Sequence, residues 1–308
     1  MSAGGGTRAV VAALLANLGI AVAKFVGFLI TGASSMLAEA VHSVADTANQ
    51  GLLLLGGKRA QREATEEHPF GYGRDRYFYA FVVALLLFSL GAVFAIYEGI
   101  HKIEEPEELT SPLVAIVILL VAIVLESFSF RTAIHESRPL KGPSRTWWQF
   151  IRQAHVPELP VVLLEDLGAL VGLVLALLGV GLTVVTGNPV FDGLGTVAIG
   201  VLLGIIAVIL VVEMKSLLIG EGALRPVVTT IVTELEAGEH VTRCIHLKTQ
   251  YLGPDELLVA AKIALAPGLR VEDVARAIDE AEARVRAAVP EARVMYLEPD
   301  LDRTPAQA

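Results

Sequence analysis

His42 and Asp46 stand four residues apart in the run Ser34-Ser-Met-Leu-Ala-Glu-Ala-Val-His-Ser-Val-Ala-Asp-Thr-Ala-Asn-Gln50, and Glu165 and Asp166 follow later in Leu163-Leu-Glu-Asp-Leu-Gly168. Four residues turn an α-helix by roughly 400°, so the imidazole and the carboxylate leave one face about one turn apart. One cation could touch both. Glu165 and Asp166 lie about 100° apart around their axis, which turns one toward the first pair and leaves the other at its edge. Two to four of these groups make a nitrogen-and-oxygen set with tetrahedral capacity, which suits zinc and also admits manganese, iron or cobalt. Such ligands bind metal only when deprotonated, so an arriving divalent cation displaces their protons. The chemistry this predicts is proton-for-metal exchange.

The surroundings make these residues unusual. Apolar runs of spanning length occur at about Val10 to Ile30, Ser34 to Gly56, Tyr77 to Ile100, Pro112 to Phe130, Pro160 to Thr186 and Val190 to Ile219, each near or above the ~20 residues that a bilayer core demands. Ionisable groups at that depth cost from a few to more than about ten kcal/mol, so they face a bundle interior or a watery cavity and are kept for use. The ordinary alternative is hydrogen bonding between helices. Thr31-Gly-Ala33 and Thr186-Gly-Asn-Pro189 join the first two and the last two runs as tight antiparallel hairpins. Basic residues gather after the second run (Lys58, Arg59, Arg62, Arg74, Arg76) and after the fourth (Arg131, Arg138, Lys141, Arg145, Arg152). The other side has Lys102, set among Glu104, Glu105, Glu107 and Glu108. The positive-inside tendency then predicts that both termini are cytoplasmic.

Composition agrees. The chain has 308 residues, 54% of them hydrophobic, and a mean hydropathy of +0.62, too apolar for a soluble domain of this length. A single cysteine, Cys244, excludes an intramolecular disulfide framework and a cysteine-rich zinc site. The net charge of −9 argues against a nucleic-acid partner. Met1-Ser-Ala-Gly-Gly-Gly-Thr-Arg8 has one basic residue and no small-residue cleavage site, so the first helix reads as retained. The predicted domains are a six-helix all-α transmembrane bundle over 1–219, a cytoplasmic C-terminal domain over 220–301 and a disordered tail over 302–308. In the second of these, Pro226 to Glu236 reads as a helix, Val241 to Tyr251 and Leu257 to Ala266 as strands, Val271 to Val289 as an amphipathic helix, and Arg293 to Glu298 as a strand. That order is an α+β arrangement of roughly ferredoxin-like type, small enough to gain from dimerisation.

Other polar residues have plainer readings. Asp192 reads as a helix-initiating acid that satisfies free backbone N–H groups or tightens a hairpin. Asn17 and Lys24 share a face of the first helix, with Lys24 snorkelling or paired to a carboxylate. Asn49 reads as a structural hydrogen-bonder. Trp147, Trp148, Phe150 and Ile151, interleaved with Arg145 and Arg152, suit a short helix lying in the membrane interface.

Thr31-Gly-Ala-Ser-Ser-Met-Leu-Ala-Glu-Ala-Val-His-Ser-Val-Ala-Asp46, His68-Pro-Phe-Gly-Tyr-Gly-Arg74, Asn188-Pro-Val-Phe-Asp192 and the C-terminal domain together resemble the cation diffusion facilitator family over nearly the whole chain. Leu163-Leu-Glu-Asp166 and the Trp-Trp-Gln-Phe-Ile-Arg152 loop resemble its branch of mitochondrial zinc-transporter-like members and bacterial relatives. The resemblance implies a homodimer exporting zinc or a similar divalent ion from the cytoplasm in exchange for protons, by alternating access. It implies a metal site on the second and fifth helices, here His42, Asp46, Asp166 and Glu165, the last standing in for a ligand where this chain has Val162. It also sets Ile245, Ala261, Tyr296 and Glu298 at positions of cytoplasmic zinc ligands, which points that domain to dimerisation. The expectation is a non-enzymatic transporter in a bacterial plasma membrane, with the metal as cargo and no resident cofactor. The alternative is a membrane scaffold whose soluble domain captures a protein partner.

Overall fold

The computed structural model describes residues 18–302. Seven helices come first: α1, described over Leu18–Thr31, α2 (Ser34–Ala60), α3 (Asp75–Glu104), α4 (Pro112–Lys141), α5 (Trp147–Gln153), α6 (Glu158–Thr186) and α7 (Val190–Ile219). Of these α3, α4, α6 and α7 are long and apolar enough to cross a membrane. α2 has the length, 27 residues, but its polar groups keep it out of that set. The expected start of the first helix, with Asn17, lies outside the described residues, as does the expected tail beyond Asp302.

One helix outruns its apolar stretch and another is broken within its own. α4 continues past Phe130 to Lys141 and stops at Gly142, whose φ of 68° suits a glycine after a helix. Helical hydrogen bonding does not end where lipid does, so Arg131 marks a boundary of solvent and not of backbone. α3 is interrupted by a π-helical stretch, Leu87–Val93, that no residue pattern announces.

The chain forms two compact units. One takes Phe78–Lys215 with the chain before Arg59, and the other takes Arg59–Tyr77 with the chain from Ser216 onward. Within the first unit α4 and α6 pack along one another. α3 meets α7 so closely that a Cβ on Gly99 would lie 2.8 Å from the Gly193 carbonyl oxygen. Lys102, near the end of α3, is buried and donates to the Gly32 carbonyl oxygen at 3.0 Å, which ties α3 to the α1–α2 turn. The α5 segment is the short helix expected there. Thr146 and Gln149 form a capping box at its start, Phe150 and Ile151 turn inward, Trp148 faces out, and Arg152 pairs with Glu213 of α7 at 3.1 Å.

The second unit holds α8 (Arg225–Glu236), β1 (Val241–Gly253), β2 (Glu256–Leu265), α9 (Val271–Ala288) and β3 (Val294–Pro299). The sheet order is β1-β2-β3, with β1 and β2 antiparallel and β2 and β3 parallel. Ala277, Ala281 and Val285, spaced by four along α9, are buried in one core with Ile231 and Leu235 of α8 and Leu257, Val259 and Ile263 of β2. Each fully buried Leu, Ile or Val there contributes roughly 1.5–3 kcal/mol. The 59–77 segment joins this unit backbone to backbone. A Cβ on Gly73 would stand 2.8 Å from the Leu252 carbonyl oxygen, and Arg76 reaches Asp255 at 3.0 Å. The fold is thus a multi-pass helical membrane unit with a small α+β unit, as the sequence predicts.

Candidate metal centre

The start of α2 sets the height of everything on it. The N–H groups of Ser34 and Ser35 are first-turn donors with no acceptor in their own helix. Both donate to Asp192 of α7, Ser34 N at 2.7 Å and Ser35 N at 3.4 Å. The two serine hydroxyls donate to the same carboxylate. Asp192 therefore satisfies free backbone N–H groups, as its sequence suggests, but those of a helix more than 150 positions away and not its own.

A little over one turn along, Lys24 of α1 and Glu39 of α2 form an ion pair at 3.1 Å with both side chains fully enclosed, and Lys24 also donates to Ser43 at 2.7 Å. Lys24 does not snorkel. α6 approaches this pair where it has no side chain, since a Cβ on Gly172 would stand 2.5 Å from Glu39 Oε1. His42 follows on α2, 1% exposed, with Nε2 3.5 Å from Asp46 Oδ2. Neither ring nitrogen has a hydrogen-bond partner among the described residues, nor does Asp46 Oδ1.

α6 presents the facing acids, and each is held by one hydrogen bond. Asn49 of α2 donates to Glu165 Oε1 at 2.7 Å, the structural role expected of it, and Ser129 of α4 donates to Asp166 Oδ2 at 2.9 Å. Asp46, Glu165 and Asp166 line one cleft with Ser43, Gln50, Val162 and, from α4, Glu126 and Ser129. Its free space is about 20 Å³, room for one water or one small ion.

Three of the four predicted ligands thus share a cleft, and His42 stands behind Asp46 without lining it. In this conformation no three His, Cys, Asp or Glu among the described residues are grouped closely enough to hold one ion. The sequence reading omitted Glu126, which lines this cleft from α4. It is the only ionisable residue between Pro112 and Phe130, a signal that was present.

Elsewhere the histidines and acids have ordinary settings. His68 packs edge-on against Tyr72 with ring centroids 4.7 Å apart. Burial, aided by the Arg145 charge, pushes the His155 imidazole down to about 4, so it is neutral at pH 7. Glu298 accepts from Lys262 at 3.0 Å, beside a second bond from Lys262 to Asp300 at 3.1 Å.

Residues 10–219 match the cation efflux transmembrane domain. The chain is 33% identical over 242 residues, 78% of this chain and 42% of the relative, to the proton-coupled zinc antiporter SLC30A9, mitochondrial, of Mus musculus. It is 29% identical over 259 residues, 83% of this chain and 56% of the relative, to metal tolerance protein C4 of Arabidopsis thaliana. It is also 34% identical over 119 residues, 39% of this chain and 36% of the relative, to the zinc transporter ZitB of Pectobacterium atrosepticum. The chain spans about two fifths of the length of the first of these and just over half of the second. The family match takes in every helix that carries His42, Asp46, Glu165, Asp166 and the cap at Asp192, and with it this chain belongs to the cation efflux family.

Proposed function

We propose that this protein is a proton-coupled antiporter that exports divalent metal cations, zinc foremost, from the cytoplasm by alternating access. The observation that carries the reading is the cleft in which Asp46 of α2 faces Glu165 and Asp166 of α6 within a bundle of apolar helices, with the imidazole of His42 against Asp46. Carboxylates at that depth are retained for a charged cargo or for protons. An imidazole among oxygens suits zinc, and two of the relatives carry zinc in their names.

Each group has a role. Asp46, His42, Glu165 and Asp166 are the ligands, which hold protons until a cation replaces them. Asn49 and Ser129 each occupy one oxygen of Glu165 or Asp166, fixing the carboxylate plane and leaving the other oxygen for the ion. Closing of α2 onto α6 brings the imidazole and the acids to bonding distance. The α+β unit dimerises two copies, and the basic residues after α2 and α4 orient both termini to the cytoplasm of a bacterial plasma membrane.

The test is zinc uptake into vesicles holding the purified protein, with and without an opposing proton gradient, for the native chain and for His42→Ala and Asp46→Ala. The native chain is expected to accumulate zinc against the gradient, and each variant to lose that movement while eluting as the native oligomer. Undiminished flux through Asp46→Ala sinks the proposal. Repeating the series with manganese, iron and cobalt on Glu165→Gln and Asp166→Asn assigns the cargo and the ligands together.

A further inference from the structure

We propose that Glu126 of α4 is a direct ligand of the transported divalent cation, adding a carboxylate from a third helix to the oxygens of Asp46, Glu165 and Asp166. The inference rests on the transport reading and deepens it.

Three observations converge on Glu126. First, it lines the same cleft as Asp46, Glu165 and Asp166, and so does Val162, one helical turn before Asp166. The α6 position that could have offered a donor toward this space carries an isopropyl group instead. Second, Glu126 is the lone ionisable group in the apolar part of α4, and no hydrogen bond or ion pair among the described residues holds it. A carboxylate left at such depth for structural reasons would be expected to have a partner. Ser129, three residues on and so on the same face of α4, is already committed to Asp166, which pins that face of α4 against α6. Third, His42 is 1% exposed with neither ring nitrogen hydrogen-bonded among the described residues, and its Nε2 is turned toward the Asp46 carboxylate that lines the cleft. A buried imidazole and an Asp46 oxygen that both lack a hydrogen bond among the described residues, next to acids that each keep one oxygen free, make a donor set suited to a cation.

With Glu126 included the donors number four carboxylates and one imidazole, drawn from α2, α4 and α6. An oxygen-rich set of this kind accepts manganese as well as zinc, because carboxylates bind both and only the imidazole favours zinc. Glu126 is then a specificity-determining residue, and α4 takes part in the transport site.

The experiment measures zinc and manganese affinity of the purified full chain in lipid nanodiscs by competition with a fluorescent chelator, alongside vesicle uptake. Glu126→Gln, which keeps the side-chain volume, is expected to weaken zinc binding roughly tenfold or more, and manganese binding by a larger factor. Glu136→Gln, on the same helix and outside the cleft, is expected to bind as the native chain does. Val162→Asp in the Glu126→Gln background is expected to recover zinc affinity, since it returns a carboxylate to the same space. Binding and uptake by Glu126→Gln within twofold of native, with the native chain active, overturn the inference and leave the transport reading standing. A native chain that neither binds nor moves any of the ions overturns both. Should Glu126→Gln not yield a monodisperse protein, Val162→Asp alone decides: zinc affinity raised threefold or more supports a metal at this point, and unchanged or weaker affinity refutes it.

Discussion

Lys24 and Glu39 allow a sharp test of how this bundle is held together. Both side chains are fully enclosed, and the ammonium bonds Glu39 Oε2 at 3.1 Å and the Ser43 hydroxyl at 2.7 Å, while Glu39 Oε1 has no hydrogen-bond partner among the described residues. Lys24→Met leaves a fully buried carboxylate without its cation, and breaking a buried pair in this way costs about 3–5 kcal/mol. Glu39→Met strands the ammonium and is expected to cost a similar amount. Removing both charges together removes the desolvation penalty with the attraction, so Lys24→Met/Glu39→Met is expected to lie within about 1–2 kcal/mol of native. The cycle then yields a coupling of at least about 3 kcal/mol, far above the 0–1 kcal/mol of an exposed pair. The assay is equilibrium unfolding in mixed micelles, adding sodium dodecyl sulfate to a mild detergent and following far-ultraviolet circular dichroism. Raising salt from about 0.05 to 0.5 M, which shortens the Debye length roughly threefold, is expected to leave the coupling unaltered because the pair is shielded from solvent. A single-variant loss below about 1 kcal/mol, or a coupling near zero, would refute the enclosed-pair account.

Two further outcomes follow from the structure. Asp192→Ala leaves the amides of Ser34 and Ser35 without acceptors in an enclosed place, at about 1–2 kcal/mol each. The variant should unfold about 2–4 kcal/mol more easily, with faster hydrogen exchange confined to the first turn of α2, and unchanged exchange there contradicts the cap. His155 is held down to about 4 by burial and by Arg145, against about 6.5 when unfolded. Between those values the unfolded chain binds the proton and the folded chain does not, so stability is complete above pH 6.5 and falls as pH drops toward 4, by at most about 3 kcal/mol. His155→Gln should flatten that slope, and a variant with the native slope assigns it to other groups.

Much of the design was legible in the residue order because the relevant signals are local. Hydrophobic run length gave the helices, four of which are long and apolar enough to span, and alternation with turn residues gave the strands to within a few positions. The four-residue step from His42 to Asp46 sets both on one face of α2, and Asp46 lines a cleft with Glu165 and Asp166 while His42 stands beside it. The partners of isolated polar groups were not legible. Asp192 is close in sequence to the α7 start, but its hydrogen bonds go to α2, and no local pattern carries a contact of that span. Lys24 could have reached solvent or an acid, and the choice was made by α6 approaching at Gly172. Glu126 is a lone acid in an apolar run, so no helical spacing to a second ionisable group marks its face. The attachment of 59–77 to the α+β unit depends on Gly73 and Gly253 meeting backbone to backbone, which is pairwise and nonlocal.

The four hydrogen bonds to Asp192 have a mechanical meaning for any cycle that turns the cleft from one side to the other. Sliding α2 along α7 by even a single residue would pull two amides off one buried carboxylate. The head of α2 and the head of α7 are therefore one rigid lever hinged at that acid. Motion that exposes Asp46 must come from tilting the pair as a whole or from α6 swinging past it.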